Sequence, residues 1–280
     1  MTHMPSARLP IVAVMISVLA ISAAYAAEAA ATGTQPSADA ALVAAVNGGQ
    51  RAPENTARDG ARHPLQSLSF WGVTKAQTII EIWPSGGYWT EIIAPYLKAT
   101  GGHYVAAVPS LDRKLPPKFG DTSIYGDITY AVFNKDGASL PPHSADLVLT
   151  ARNIHDWMWT PGFAERAMRD FYAALKPGGI LAVEEHRADP RPMIDDARDG
   201  YVSTAHVVSI AEKAGLKLAG QSEVNANPKD TKDYPFGVWT LPPTRRSAPP
   251  GQPSDPNFDH SKYDAIGESD RMTLRFEKPR

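Results

Sequence analysis

His155 and His186 are the side chains in this sequence whose chemistry most plainly asks for a partner. His155 lies in Asn153-Ile154-His155-Asp156-Trp157, and His186 falls within Glu184-Glu185-His186-Arg187. An imidazole titrates near neutral pH, so either ring is able to take a proton from a hydroxyl, an amine or a carbon acid. On a strand, neighbours point to opposite faces and alternate residues share one, which pairs Glu184 with His186. His155, His186 and Glu184 are therefore the candidate catalytic residues. Zinc and iron also accept these ligand types, but no HxH or HExxH spacing joins them and no metal is expected. A second constellation is Glu81 at the end of an apolar run, followed at once by Trp83-Pro84-Ser85-Gly86-Gly87. Small residues in such a turn let backbone approach a ligand closely.

These residues are placed by an alternation of strands and helices. Thr78–Trp83 reads as a buried strand, with a turn at Pro84–Gly87 and a helix over Tyr88–Lys98 stopped by Gly101-Gly102. His103–Val108, Ile128–Phe133 and Ala145–Thr150 are further strands. Pro161–Leu175 carries Phe163, Ala167, Phe171 and Leu175 at helical spacing, and Lys176-Pro177-Gly178-Gly179 ends it. Gly179–Glu184 is a strand, Thr204–Ala214 a helix and Leu216–Val224 a strand; Arg271–Phe276 alternates apolar and polar residues like an antiparallel strand with one wet face. The pattern predicts an α/β fold: a Rossmann-like open twisted sheet, mostly parallel, with a C-terminal antiparallel hairpin strand and helices on both faces. Such sheets bind ligands beyond the carboxyl ends of their strands, and both constellations fall there.

The chain has 280 residues, 28 Lys+Arg against 30 Asp+Glu, and no cysteine. That excludes disulfides, thiolate metal sites and cysteine nucleophiles, and a net charge of -2 gives no basic field for nucleic acid. The apolar run Leu9–Ile21 leads into Ala24-Tyr25-Ala26, a small-x-small pattern read as a secretory signal peptide over residues 1–26. A periplasmic or secreted protein without stable membrane insertion after cleavage is expected, with an uncleaved anchor as the alternative for this run. Residues 27–50 are read as a linker, 51–230 as the core, and 231–280 as a proline-rich arm with the final strand. The long aperiodic stretch from Asn225 to Asp270 contains Tyr234, Phe236, Trp239, Phe258 and Tyr263, and an ordered arm packed on the core is expected.

The strand-end acid, the small turn and the immediate helix in Glu81-Ile82-Trp83-Pro84-Ser85-Gly86-Gly87 resemble motif I of class I S-adenosylmethionine-dependent methyltransferases. Leu175-Lys176-Pro177-Gly178-Gly179 is similar to that superfamily's LKPGG turn, and Ala145–Trp157 to its fourth-strand segment, notably the RN-containing form of quinone-biosynthesis methyltransferases. Trp83-Pro84, Asn225–Asp233 and Gly267–Met272 resemble a narrower bacterial group of predicted methyltransferases, many with signal peptides. In the superfamily pattern acid-x-Gly-x-Gly-x-Gly, the three glycine positions fall on Trp83, Ser85 and Gly87. The resemblance implies S-adenosylmethionine as cofactor, held by Glu81, Trp83, Ser85, Gly86, Gly87, Asp136 and Asn153, and in-line methyl transfer to a small-molecule acceptor. The alternative is an exported methyltransferase-like fold that binds or transforms another small molecule without that cofactor.

Overall fold

The computed structural model describes residues 39–190 and 197–280. The apolar run read as a signal peptide lies outside the described residues. The stretch read as a linker ends differently from expectation: Ala40–Val46 is a helix, α1, capped by Asp39, whose carboxylate accepts from the N–H of Ala41. Leu42, Ala45 and Val46 bury one side of it. Its alanine-rich composition hid that apolar spacing. Three short helices follow, α2 (Pro53–Thr56), α3 (Asp59–Arg62) and α4 (Pro64–Trp71).

The sheet then builds as β1 (Thr78–Ile82), α5 (Thr90–Thr100), β2 (His103–Val108), α6 (Thr122–Tyr125), β3 (Thr129–Asn134) and a short hairpin partner β4 (Gly137–Ala138). Next come β5 (Ala145–Ala151), α7 (Ile154–Trp157), α8 (Phe163–Ala174), β6 (Leu175–His186), α9 (Thr204–Lys213) and β7 (Lys217–Ser222), with α10 (Ser261–Ile266) and β8 (Arg271–Glu277) closing the chain. The strand order is β4-β3-β2-β1-β5-β6-β8-β7. β3, β2, β1, β5 and β6 run parallel, and β8 is antiparallel to both β6 and β7. The predicted architecture is therefore the one observed. The Lys176-Pro177-Gly178-Gly179 turn is drawn into the irregular start of β6, where Ala145 pairs with Leu175 but Leu147 with Ile180.

Burial explains the layers. α8 turns Phe163, Ala167, Met168 and Phe171 onto one face of the sheet, beside Val207 and Ile210 of α9. α5 covers the other face with Ile92, Ile93 and Leu97, joined by Leu68 and Trp71 of α4 and by α1. The arm has a small core of its own: Tyr234, Val238 and Leu241 pack with Ala188 and Tyr201, and Trp239, Tyr263 and Ile266 lie against them. Asp230 ties the arm down, accepting from the hydroxyls of Tyr201 and Tyr234 and from the N–H of Asp270.

Candidate active site

β1 and β5 are neighbours whose crossovers leave in opposite directions along the sheet, and the crevice at their carboxyl ends is where an open α/β sheet takes ligands. A cavity of about 250 Å³ opens there, lined by Trp83, Pro84 and Ser85 of the β1 turn but not by Gly86 or Gly87, by Asn153, His155 and His186, and by Trp239 and Pro242–Thr244 of the arm. A second hollow of about 340 Å³ lies toward the β2 end, against Val108, Pro109 and Leu115, and shares Trp83, Pro84, Ser85 and Asp156 with the first.

Trp83, Ser85 and Gly87 all have positive φ, 48°, 51° and 85°. Left-handed backbone is routine for glycine and costly for other residues, so the turn keeps a three-glycine conformation with only one glycine at those positions. The Trp83 ring is anchored away from the turn: Nε1 donates to the carbonyl of Phe133 at 2.7 Å, and the ring meets Phe133, Trp157 and Phe163 edge-on. Gly87 is tight, since a Cβ there would lie 2.3 Å from the Phe119 ring, whereas one on Gly86 would meet nothing within 4 Å.

Glu81 is buried beneath this turn and lines the cavity. Its Oε2 accepts from the hydroxyls of Tyr104 and Thr90, at 2.5 and 3.1 Å. Burial nevertheless pushes its carboxyl up to about 7, because two hydroxyl donors do not replace the water it has lost. Asn153 fastens the crevice, donating through Nδ2 to the carbonyl of Ile82 and to Thr150.

On the far wall, His155 Nδ1 lies 2.9 Å from Oε1 of Glu185. Glu185 also receives the backbone N–H groups of Ile154, His155 and His186. A buried carboxylate so placed holds the imidazole in one orientation with Nδ1 protonated, and its charge raises the pKa of His155 even though burial opposes it. His186 sits 5.2 Å away between ring centroids, with Nδ1 2.5 Å from the Ser269 hydroxyl. Burial, then the neighbouring His155 and Arg271 charges, hold its pKa well below the ordinary value. Two adjacent imidazoles are thus driven apart in basicity, a pattern that separates acid from base.

Glu184 is a correction. Its carboxylate does not line the cavity; it faces Nε of Arg271 at 3.2 Å, and the acid that serves a histidine is Glu185. Alternation along β6 pairs Glu184 with His186, but the partner that matters comes from α7, which that rule does not see. Asp136 is a second correction: it is exposed on the β3–β4 turn and lines neither hollow, while Asn134 shapes that turn by accepting from the N–H groups of residues 136 and 137. His155, Glu185 and His186 bring ligand-type atoms within 4.8 Å of one another. Both Glu185 oxygens already accept hydrogen bonds, so we read the group as a hydrogen-bonded pair with a neighbouring imidazole. Sequence reasoning missed Glu185, Arg62, Arg152 and Arg271; Glu185 is 30 positions from His155 and Arg62 is 206 positions from Glu268, so neither pairing shows as a local pattern.

No protein-family model matches the chain. It is 26% identical over 140 residues to the ubiquinone/menaquinone biosynthesis C-methyltransferase UbiE of Pseudoalteromonas translucida (strain TAC 125), covering 49% of this chain and 53% of that protein. The chain thus spans about half the length of the curated relatives it matches. Among solved structures it is similar to an S-adenosylmethionine-dependent methyltransferase from Aquifex aeolicus, at 17% identity and a TM-score of 0.50 over 61% of this chain and 89% of that one. It is also similar to the [4+2]-cyclase SpnF, at 13% identity and a TM-score of 0.55 over 85% and 92%. The fold is that of the Rossmann-like methyltransferases, with antiparallel C-terminal strands.

Proposed function

We propose that this protein is an S-adenosylmethionine-dependent methyltransferase acting on a small-molecule acceptor. The observation that carries the reading is the turn after β1, where residues 83, 85 and 87 adopt the backbone of a three-glycine loop directly above the buried Glu81. The residues present fit the cofactor: the turn would cradle it, Gly86 faces open space, and Glu81 and Asn153 would hold its polar groups in the crevice. When bound, S-adenosylmethionine supplies a methyl group on a sulfonium, transferred by in-line displacement. The chain's own residues orient the acceptor, exclude water and move a proton. Trp239, from the arm, lies 5.9 Å from the His155 ring and roofs the cavity. With Nδ1 of His155 committed to Glu185, Nε2 is the nitrogen left to take a proton from the acceptor. His186, held neutral beside it by burial, keeps a second positive charge away from the His155 ring as that ring takes the proton. Most of the rate enhancement comes from holding the reactants at attack distance.

Similarity to UbiE and to methyltransferase structures supports the reading. Calorimetry with S-adenosylmethionine and S-adenosylhomocysteine is the test: saturable binding is expected, and no heat from either at high protein concentration would sink it. The export reading rests on the Leu9–Ala26 pattern alone, and a mature N-terminus at Ala27 in the protein recovered from a bacterial periplasm is the expected result.

A further inference from the structure

We propose that Arg62, Arg152 and Arg271 form an anion subsite in the active-site cavity, and that it receives a carboxylate or phosphate group carried by the methyl acceptor. This rests on the methyl-transfer reading and adds to it the class of acceptor. All three side chains line the cavity, converging from α3, from the turn after β5 and from the first position of β8. Arg62 and Arg271 are each only 1% exposed, a rare state for a guanidinium unless its charge is matched.

The charges around them do not balance. Glu268 accepts from Arg58, Arg62 and Arg271, and Glu184 lies 3.2 Å from Nε of Arg271 and also attracts Arg62 and Arg152, so these two carboxylates are shared among four guanidiniums. The other charged groups nearby do not make up the difference. Glu185 is spent on His155, Arg187 is answered by Asp270 and Glu223, and Asp156 is shared between His155 and Arg152. Nη2 of Arg62, Nε of Arg152 and Nη1 of Arg271 are buried donors without a hydrogen-bond partner in the protein. Burial first, then the charges of Arg152 and Arg271, push the Arg62 guanidinium down to about 9, whereas Glu184 and Glu268 outweigh burial at Arg271 and raise it.

The position argues for the acceptor. Arg152 follows β5 and Arg271 starts β8, whereas the glycine-like turn closes β1. Arg271 pairs with His186 in the β6–β8 register, so an acid held by these guanidiniums sets its remaining atoms against the imidazoles. Guanidinium groups grip carboxylate and phosphate oxygens through paired N–H donors.

The test is calorimetry on the full chain with benzoate, inorganic phosphate and neutral benzamide, alongside S-adenosylhomocysteine and methylthioadenosine, which lacks the amino-acid end. Benzoate or phosphate should bind saturably and benzamide should not. Arg152→Gln, whose side chain holds no other element through Nε, should weaken the anion by about tenfold or more while leaving S-adenosylhomocysteine unchanged. Arg62→Gln should act in the same direction and Arg62→Lys less, with circular dichroism confirming the fold. Absence of anion binding, or equal binding of benzamide, overturns the subsite. So does an Arg152→Gln loss confined to S-adenosylhomocysteine and absent for methylthioadenosine, which would give the guanidiniums to the cofactor's own carboxylate. Binding of S-adenosylhomocysteine without anion binding sinks the subsite and spares the methyl-transfer reading; the reverse pattern spares the subsite and sinks that reading.

Discussion

Oε1 of Glu185 lies 2.9 Å from Nδ1 of His155, and the same carboxylate gathers the N–H groups that open α7. One buried acid thereby fixes a helix start and an imidazole together. The fold and the basicity of His155 are coupled through it.

Glu185→Gln tests that coupling. Glutamine keeps the volume but replaces one acceptor oxygen with a donor, which then faces N–H groups. We expect a stability loss of about 2 kcal/mol, a fall of the His155 pKa from its wild-type value, and a drop in methyl transfer of about a hundredfold. Imidazole titration by NMR and a pH–rate profile read the last two. An unchanged His155 titration would show that the carboxylate does not tune the ring.

His186 makes the opposite demand on pH. Its folded pKa is held far below the unfolded value, chiefly by burial. The stability this contributes is present above the unfolded value and is lost as pH falls from there toward the folded value, because only the unfolded state takes up the proton. Urea denaturation at pH 7.5 and 5.5 should show wild type losing about 1 kcal/mol more than His186→Asn between the two. Parallel losses in both proteins would assign the acid sensitivity to other groups.

The two glycines of the turn should respond differently. Gly87 has a φ of 85° and a Cβ there would press on the buried Phe119 ring, so Gly87→Val should cost about 3 kcal/mol or more in stability and strongly weaken S-adenosylhomocysteine binding. Gly86 is exposed, and a Cβ there would meet nothing within 4 Å. Gly86→Ala should therefore keep the wild-type Tm to within measurement error, and calorimetry on it isolates the effect of a methyl group on the cradle. A Gly87→Val protein with wild-type Tm and affinity would mean that the turn is looser than its backbone implies.

The strand positions were legible because runs such as Thr78–Ile82 and Ala145–Ala151 are buried on both faces and read as continuous apolar segments. The crevice followed from topology, and His155, His186, Glu81 and Asn153 do line it. The partners of those residues were not legible. Which glutamate serves His155 depends on where α7 begins relative to the end of β6, and the Arg62–Glu268–Arg271 network joins the two ends of the described chain. Nor does the sequence show how a tryptophan fits a glycine position: the indole of Trp83 turns sideways because Phe133, on the second strand over, offers a carbonyl.

Glu81 links the turn to a pH-dependent stability of its own. Its carboxyl titrates near 7 in the fold, against an ordinary value of 4.5, and burial is the leading cause. A raised carboxyl contributes stability that is complete below the unfolded value and is lost as pH rises through the folded one, since between the two the folded state holds the extra proton. Wild type should therefore lose up to about 3 kcal/mol from this group between pH 4.5 and 8. Glu81→Gln keeps an oxygen for Tyr104 and Thr90 and carries no charge, so its stability should lack that loss and exceed wild type at pH 8. Its affinity for S-adenosylmethionine should fall nonetheless, because a carboxylate in the crevice favours a cationic ligand and an amide does not. Denaturation at pH 5 and 8 together with calorimetry at pH 8 separates the two effects. A Glu81→Gln protein that is less stable at pH 8 would show that the Tyr104 and Thr90 hydroxyls stabilise the ionised acid more than burial opposes it.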